Sequence, residues 1–294
     1  MRIVSRGIAA SLMVLAVVAA VPARGKDVER VVVALKPDKN PQQMLEERKA
    51  LEAYLAKALG RPAEVVIPLS AAVILEGLSG GSIDAAYLSA TDMLAARRSG
   101  IGEILLAGEI DGKPYYRSYW VALAGKPYDE VADLRGKPIA FSSRTSTSGY
   151  LVPHADLVRK GLLSAGADPE AFFGAGNVWY GSGYVSAVER VLNGEAEAAA
   201  VSYYVLDEDK HLSIEQRRLL KKVAEQGPVP THVVAGRKTL SAGDRTALVR
   251  ALEGLNEPGH SALRDRLFTS RLVGVDEARH LEPLDEAMRL AGKN

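Results

Sequence analysis

The 294-residue chain has no cysteine, four phenylalanines, two tryptophans and five histidines. The missing cysteines exclude a disulfide framework, a thiolate metal site and a thiol nucleophile, so stability must come from buried apolar area. His154, His211, His232, His260 and His280 form no i, i+4 pair and have no nearby acids at ligand spacing, so no metal site is expected. Also lacking are a Gly-x-Ser-x-Gly elbow, a P-loop and a dinucleotide fingerprint; the run Gly174 to Gly183 is rich in glycine but wrongly spaced. Neither a catalytic residue nor a cofactor is expected. Charge of one sign is not in excess either. Removing Arg2 and Arg6 from the 37 basic residues leaves 35 against 36 acidic ones, which recommends neither nucleic acid nor a membrane surface as partner.

One uncharged apolar stretch, Gly7 to Ala23, follows Arg2 and Arg6 and ends in Val21-Pro22-Ala23. This reads as a cleavable secretory signal over residues 1–23, the alternative being an uncleaved anchor. No later stretch approaches the roughly 18 apolar residues of a membrane span, so no stable membrane insertion is expected after cleavage.

The remainder alternates strand and helix. Strands are expected at Arg30 to Leu35, Glu64 to Ile67, Ala85 to Leu88, Ile104 to Ala107 and Tyr116 to Ala124. Between them, helices are expected after Asn40-Pro41, over Ala72 to Leu78 and over Met93 to Arg98. A second series follows: strand Pro138 to Phe141, helix Gly149 to Lys160, strand Val178 to Tyr180, helix Ser186 to Leu192 and strand Ala198 to Val201. Ser213 with Gln216 makes a capping box for a helix expected to reach Ala224. Thr231 to Ala235 is a strand that returns the chain to the first series, Ser241 with Asp244 starts a helix, and the rest is expected to be helical. The pattern implies α/β layers in two lobes, residues 24–120 with 237–294 and residues 121–236.

Gly81 to Ser89 aligns with Gly194 to Ser202, either as an echo of two related units or as chance recurrence. In open parallel sheets ligands bind at the carboxyl ends of strands, which makes Ser89 and Ser202 paired candidates. After Phe141 comes Ser142-Ser143-Arg144-Thr145-Ser146-Thr147-Ser148-Gly149-Tyr150, leading into a helix. A helix start offers free N–H groups and the positive end of the dipole, and successive hydroxyls add donors around one oxyanion. Ser146, Thr147 and Ser148 are therefore the leading site residues, although N-capping alone would use one of them. Arg144 either adds charge or faces solvent.

The segment Thr145 to Pro153 resembles the Ser-Thr-Ser-Gly-Tyr signature of the phosphate, phosphite and phosphonate binding proteins of ABC importers. Leu134 to Phe141, Val191 to Glu195 and Gly81 to Tyr87 resemble that family's flanking pattern in the same order. The resemblance implies a type II periplasmic binding protein, two α/β lobes joined by crossover strands, with the turn holding a phosphorus oxyanion. It also implies a periplasmic location and an ABC permease as partner, or alternatively a receptor kinase that reads the closed form. Tyr184-Val185 stand where the family has a ligand-contacting His-Asp, Ser202 where it commonly has an acid or amide, and Ala71 where it often has tyrosine. These replacements point to a different, larger or more aromatic anion. Among ten aromatic residues near the expected cleft, Tyr87, Tyr116, Tyr184 and Tyr204 are singled out as wall residues for a ligand with an apolar body and an acid group.

Overall fold

The computed structural model describes residues 27–35, 41–208, 211–268 and 271–293. The expected signal segment lies outside the described residues. Eleven strands are present among the described residues: β1 (Val31–Ala34), β2 (Ala63–Val66), β3 (Ala85–Leu88), β4 (Gly102–Glu109), β5 (Tyr115–Leu123), β6 (Ile139–Phe141), β7 (Val178–Tyr180), β8 (Ala198–Ser202), β9 (Leu220–Pro230), β10 (Val233–Arg237) and β11 (Arg271–Val273). They form two mixed sheets, of order β11-β4-β10-β3-β1-β2 and β7-β6-β8-β5-β9. In each, three adjacent strands run parallel, β2-β1-β3 and β7-β6-β8, and are joined by helices, which is why β3 and β8 are short and wholly buried.

One face of the first sheet packs Val31, Val33, Ala85 and Val234 against Leu51 and Leu55 of the helix Pro41–Leu59 and Leu248 and Leu252 of the helix Ala242–Glu253. Three of the four phenylalanines, Phe141, Phe172 and Phe173, share a buried cluster with Trp120 in the second sheet. The Trp120 ring lies 5.4 Å from Phe141 and 5.5 Å from Phe173. With so few large aromatics, concentrating them gives one lobe a dense core without disulfides.

The chain crosses between sheets twice, from β4 to β5 and from β9 to β10. The two crossings are tied together by Thr231, whose Oγ1 lies 2.7 Å from the Gly108 carbonyl and 3.0 Å from that of Pro114. The Gly108 N–H donates back to the His232 carbonyl (2.9 Å). The boundaries expected after residues 120 and 236 fall inside β5, which pairs within the second sheet, and β10, which pairs within the first.

A third tie is the helix Glu277–Leu290. Toward the first sheet it offers Asp285 to Arg97 and Arg98, and Glu277 Oε2 to the Ile104 N–H (2.7 Å). Toward the second it pairs Glu286 with Arg159 through two hydrogen bonds. Pro283, inside this helix, has no N–H for the Arg279 carbonyl, and the Tyr115 hydroxyl donates to that carbonyl instead (2.9 Å).

Three expected elements are corrected. The capping box of Ser213 and Gln216 forms, but its helix ends at Arg218, and the chain from Leu220 is strand β9. The long apolar edge of β5 takes it as partner from Tyr115↔Pro230 to Leu123↔Leu220, and this pairing overrides the helical pattern. The C-terminal part is not helical throughout, since β11 pairs antiparallel with β4. The helix expected over Gly149 to Lys160 begins instead as a turn of π-helix, Thr147–Leu151, followed by the α-helix Val152–Arg159.

Candidate functional site

The π turn follows from Pro153. Proline supplies no N–H, so neither the Gly149 carbonyl, its α partner, nor the Ser148 carbonyl, its π partner, can be satisfied by it. Both carbonyls take bonds from elsewhere in the second sheet. Ser142 N–H, at the end of β6, donates to Gly149 O (3.1 Å), and Ser118 Oγ, in β5, donates to Ser148 O (2.6 Å). Glycine is required at 149, because a Cβ there would overlap Cβ and Oγ of Ser142. One proline and one glycine thus press the turn onto β5 and the end of β6.

On this support the three leading residues take different roles. Ser146 Oγ caps the helical run, accepting from the Gly149 N–H (3.0 Å). Thr147 Oγ1 lies 2.7 Å from Thr91 Oγ1, on the helix Ala90–Arg98 that follows β3, so the turn meets the first lobe directly. Ser148 is fully buried, and its Oγ lies 3.2 Å from the Tyr116 hydroxyl and 2.7 Å from that of Tyr184. Burial holds the Tyr116 phenol well above its ordinary pKa, with nearby Tyr184 adding to the rise, so Tyr116 is a donor rather than a base.

Of the other expected residues, Tyr204 packs edge-on against Tyr184, with centroids 5.6 Å apart and planes at 88°. Ser202, at the end of β8, is fully buried and its Oγ has no hydrogen-bond partner. It stands opposite Ser118 in the β5–β8 register, and Gln226 Nε2 of β9 donates to Ser118 Oγ (2.7 Å), so a polar row crosses the sheet beneath the turn. Ser89 and Tyr87 are occupied elsewhere. Ser89 caps the helix Ala90–Arg98 and its Oγ donates to Asp92 (2.6 Å), while the Tyr87 hydroxyl donates to the Phe268 carbonyl (2.8 Å) and its ring stacks on His232.

Arg144 is exposed, with its guanidinium 3.8 Å from the Tyr180 ring centre, and its carbonyl accepts from Lys293 Nζ (2.8 Å). His154 is buried, with Nε2 3.0 Å from the Ala167 carbonyl and a pKa lowered mainly by desolvation; it packs beside Tyr150 rather than next to Ser148. No group of three or more His, Cys, Asp or Glu side chains able to hold a metal occurs among the described residues. No helix of the described residues is long and apolar enough to cross a membrane.

Thr91, Ser118, Gln226, Tyr203 and His211 join this region without having been singled out from sequence. For Thr91 a signal existed: Ser89-Ala90-Thr91 puts two hydroxyls after β3, as the turn does after β6. Gln226 carried none, because its strand read as helix and loop.

The family described as ABC transporter, phosphonate, periplasmic substrate-binding protein matches residues 33–280. The chain belongs to this family. Phosphate-import protein PhnD of Mycolicibacterium smegmatis is 27% identical over 174 residues, 58% of this chain and 54% of that protein. The chain is thus matched to about half the length of that relative. Two solved structures align over 90% of this chain and 99% of their own. They are XAC2383 from Xanthomonas citri bound to ATP (21% identity, TM-score 0.74) and PhnD1 from Prochlorococcus marinus in complex with methylphosphonate (17% identity, TM-score 0.72). These likenesses show the fold, that of a two-lobed type II periplasmic binding protein. The two lobes touch where Thr91 meets Thr147.

Proposed function

We propose that this family member is the periplasmic solute-binding component of an ABC importer, and that it captures a small phosphorus oxyanion at the turn Ser146, Thr147 and Ser148. The reading rests on Ser148. Its hydroxyl is buried at the carboxyl edge of the second sheet, within hydrogen-bond reach of the Tyr116 and Tyr184 phenols, and its neighbour Thr147 touches the opposite lobe. Neutral donors of this kind, beside the N–H groups of a helix start, suit an anion that must be released again. The lobes, proposed as 24–120 with 237–294 and 121–236, trimmed to the crossings that Thr231 clamps, close by hinge motion about those crossings.

Binding without chemistry is the simplest account of the turn. The groups nearest Ser148 Oγ are phenols, and the one histidine a turn away is held by Ala167, so the hydroxyl has no base to activate it. The closed form docks on an ABC permease; the family's description is of transport proteins, which favours import over sensing through a receptor kinase. Export through a cleaved segment 1–23 is part of the same proposal.

A thermal-shift screen of the chain from residue 24 onward, against phosphate, phosphite, methylphosphonate and sulfate, tests it, because a ligand at 100 times its Kd stabilises by about 2.7 kcal/mol. A rise with a phosphorus oxyanion that is lost in Thr147→Ala and Ser148→Ala supports the reading. No rise with any of them, or a rise that both variants retain, refutes it.

A further inference from the structure

Beyond the oxyanion, the walls of the site are aromatic, and their arrangement is specific. The Tyr184 hydroxyl touches Ser148, and the Tyr184 ring stands perpendicular to that of Tyr204. The Tyr204 ring lies 5.2 Å from His211, tilted by 34°. The His211 ring also lies 6.2 Å from that of Tyr184, so the three rings make one aromatic cluster that is joined to the anion turn through the Tyr184 hydroxyl. Tyr203 continues the surface, 5.6 Å from Tyr204 and 5.9 Å from Tyr116. Tyr184, Tyr203, Tyr204 and His211 are all only partly buried.

The charged groups around this cluster are engaged with other partners. Asp207 accepts from the Tyr119 hydroxyl (2.7 Å), Glu208 from the Tyr203 hydroxyl (2.8 Å), and Arg144 covers Tyr180. A second ligand part carrying its own ammonium would meet committed carboxylates, whereas a flat uncharged ring would meet the partly exposed rings of Tyr184, Tyr204 and His211. We infer that the ligand is an organophosphorus anion whose substituent is an aromatic or heteroaromatic ring, stacked on Tyr204 and His211 against Tyr184 while its oxyanion sits at Ser146 to Ser148. This rests on the oxyanion reading above and names the class of ligand.

Calorimetry with phenylphosphonate, methylphosphonate and phosphocholine separates the two claims. Phenylphosphonate is expected to bind about tenfold more tightly than methylphosphonate, the upper part of what one ring-on-ring contact contributes. In Tyr204→Leu, and separately in His211→Ala, the ratio of the two affinities is expected to fall to near one, whatever happens to either affinity alone. A ratio of one in the unaltered protein, or a tenfold ratio that survives both variants, overturns the aromatic-ligand inference while leaving the oxyanion site standing. Preference for phosphocholine also overturns it, since the rings would then serve a cation. Binding of none of the three overturns both.

Discussion

Replacing Gly149 by alanine places a methyl group where the Cβ and Oγ of Ser142 already are. Ser142 has little room to retreat: it is 1% exposed, its N–H donates to the Gly149 carbonyl and its Oγ to the Ala200 carbonyl (2.8 Å). Overpacking a buried site costs about 1–3 kcal/mol, and giving up the bond to Ala200 adds about 1 kcal/mol. Urea unfolding of Gly149→Ala is therefore expected to show a loss of about 2–4 kcal/mol. Ser142→Gly removes the obstacle and by itself costs about 1–2 kcal/mol, through the lost hydrogen bond and the freer backbone. The double variant should be less destabilised than the sum of the single ones by at least about 1 kcal/mol, because the methyl then fills the space Ser142 left. Strictly additive losses, or a Gly149→Ala protein within about 0.5 kcal/mol of the unaltered one, would refute the close approach of turn and strand from which the site is built.

Ser118→Ala strands the Ser148 carbonyl and Gln226 Nε2 in the interior; a loss of about 2–4 kcal/mol in urea unfolding is expected, with weaker binding of any oxyanion found in the thermal screen. Asp244, 1% exposed, is ion-paired with Arg61 and accepts from the Val28 N–H (3.0 Å). Asp244→Asn should cost about 2 kcal/mol, below the usual value for a buried pair because the Arg61 side chain is 20% exposed, and should leave ligand affinity unchanged by calorimetry. His154 and His280 both have pKa values lowered from 6.5, chiefly by desolvation. Below pH 6.5 the unfolded chain therefore binds protons that the folded one refuses, so stability is full above that pH and falls as the pH drops through the lowered folded values. Urea midpoints measured from pH 8 to pH 4.5 should fall on the acid side, and the His280→Gln profile should be flatter over that window.

Much of the fold was legible because three adjacent strands of each sheet run parallel and are joined by helices. Such strands read as short apolar runs between helices, and those at Ala85–Leu88 and Val178–Tyr180 match the expected spans residue for residue. The position of the turn was legible too, since Ser146 caps the helical run that starts at Thr147. What misled was local pattern without its partner. Arg217 to Ala224 has helical character, yet β5 offered an open edge and claimed the chain from Leu220 as β9. The π turn was hidden for a related reason: Pro153 announces that carbonyls will be left over, but only the fold says that Ser142 and Ser118 will take them.

By itself, then, the sequence determined the α/β alternation, the return of the chain at Thr231 to Ala235 and the hydroxyl-rich turn before the helix, because each depends on periodicity or on neighbours a few residues apart. Tertiary structure alone decided which hydroxyls share the site. Thr91 reaches Thr147 across 56 positions, and Tyr116 and Tyr184 reach Ser148 across 32 and 36, distances in sequence over which no local rule acts. It also decided that Tyr87 and Ser89 would spend their hydroxyls on Phe268 and Asp92, since a buried polar group takes the partner that packing brings to it.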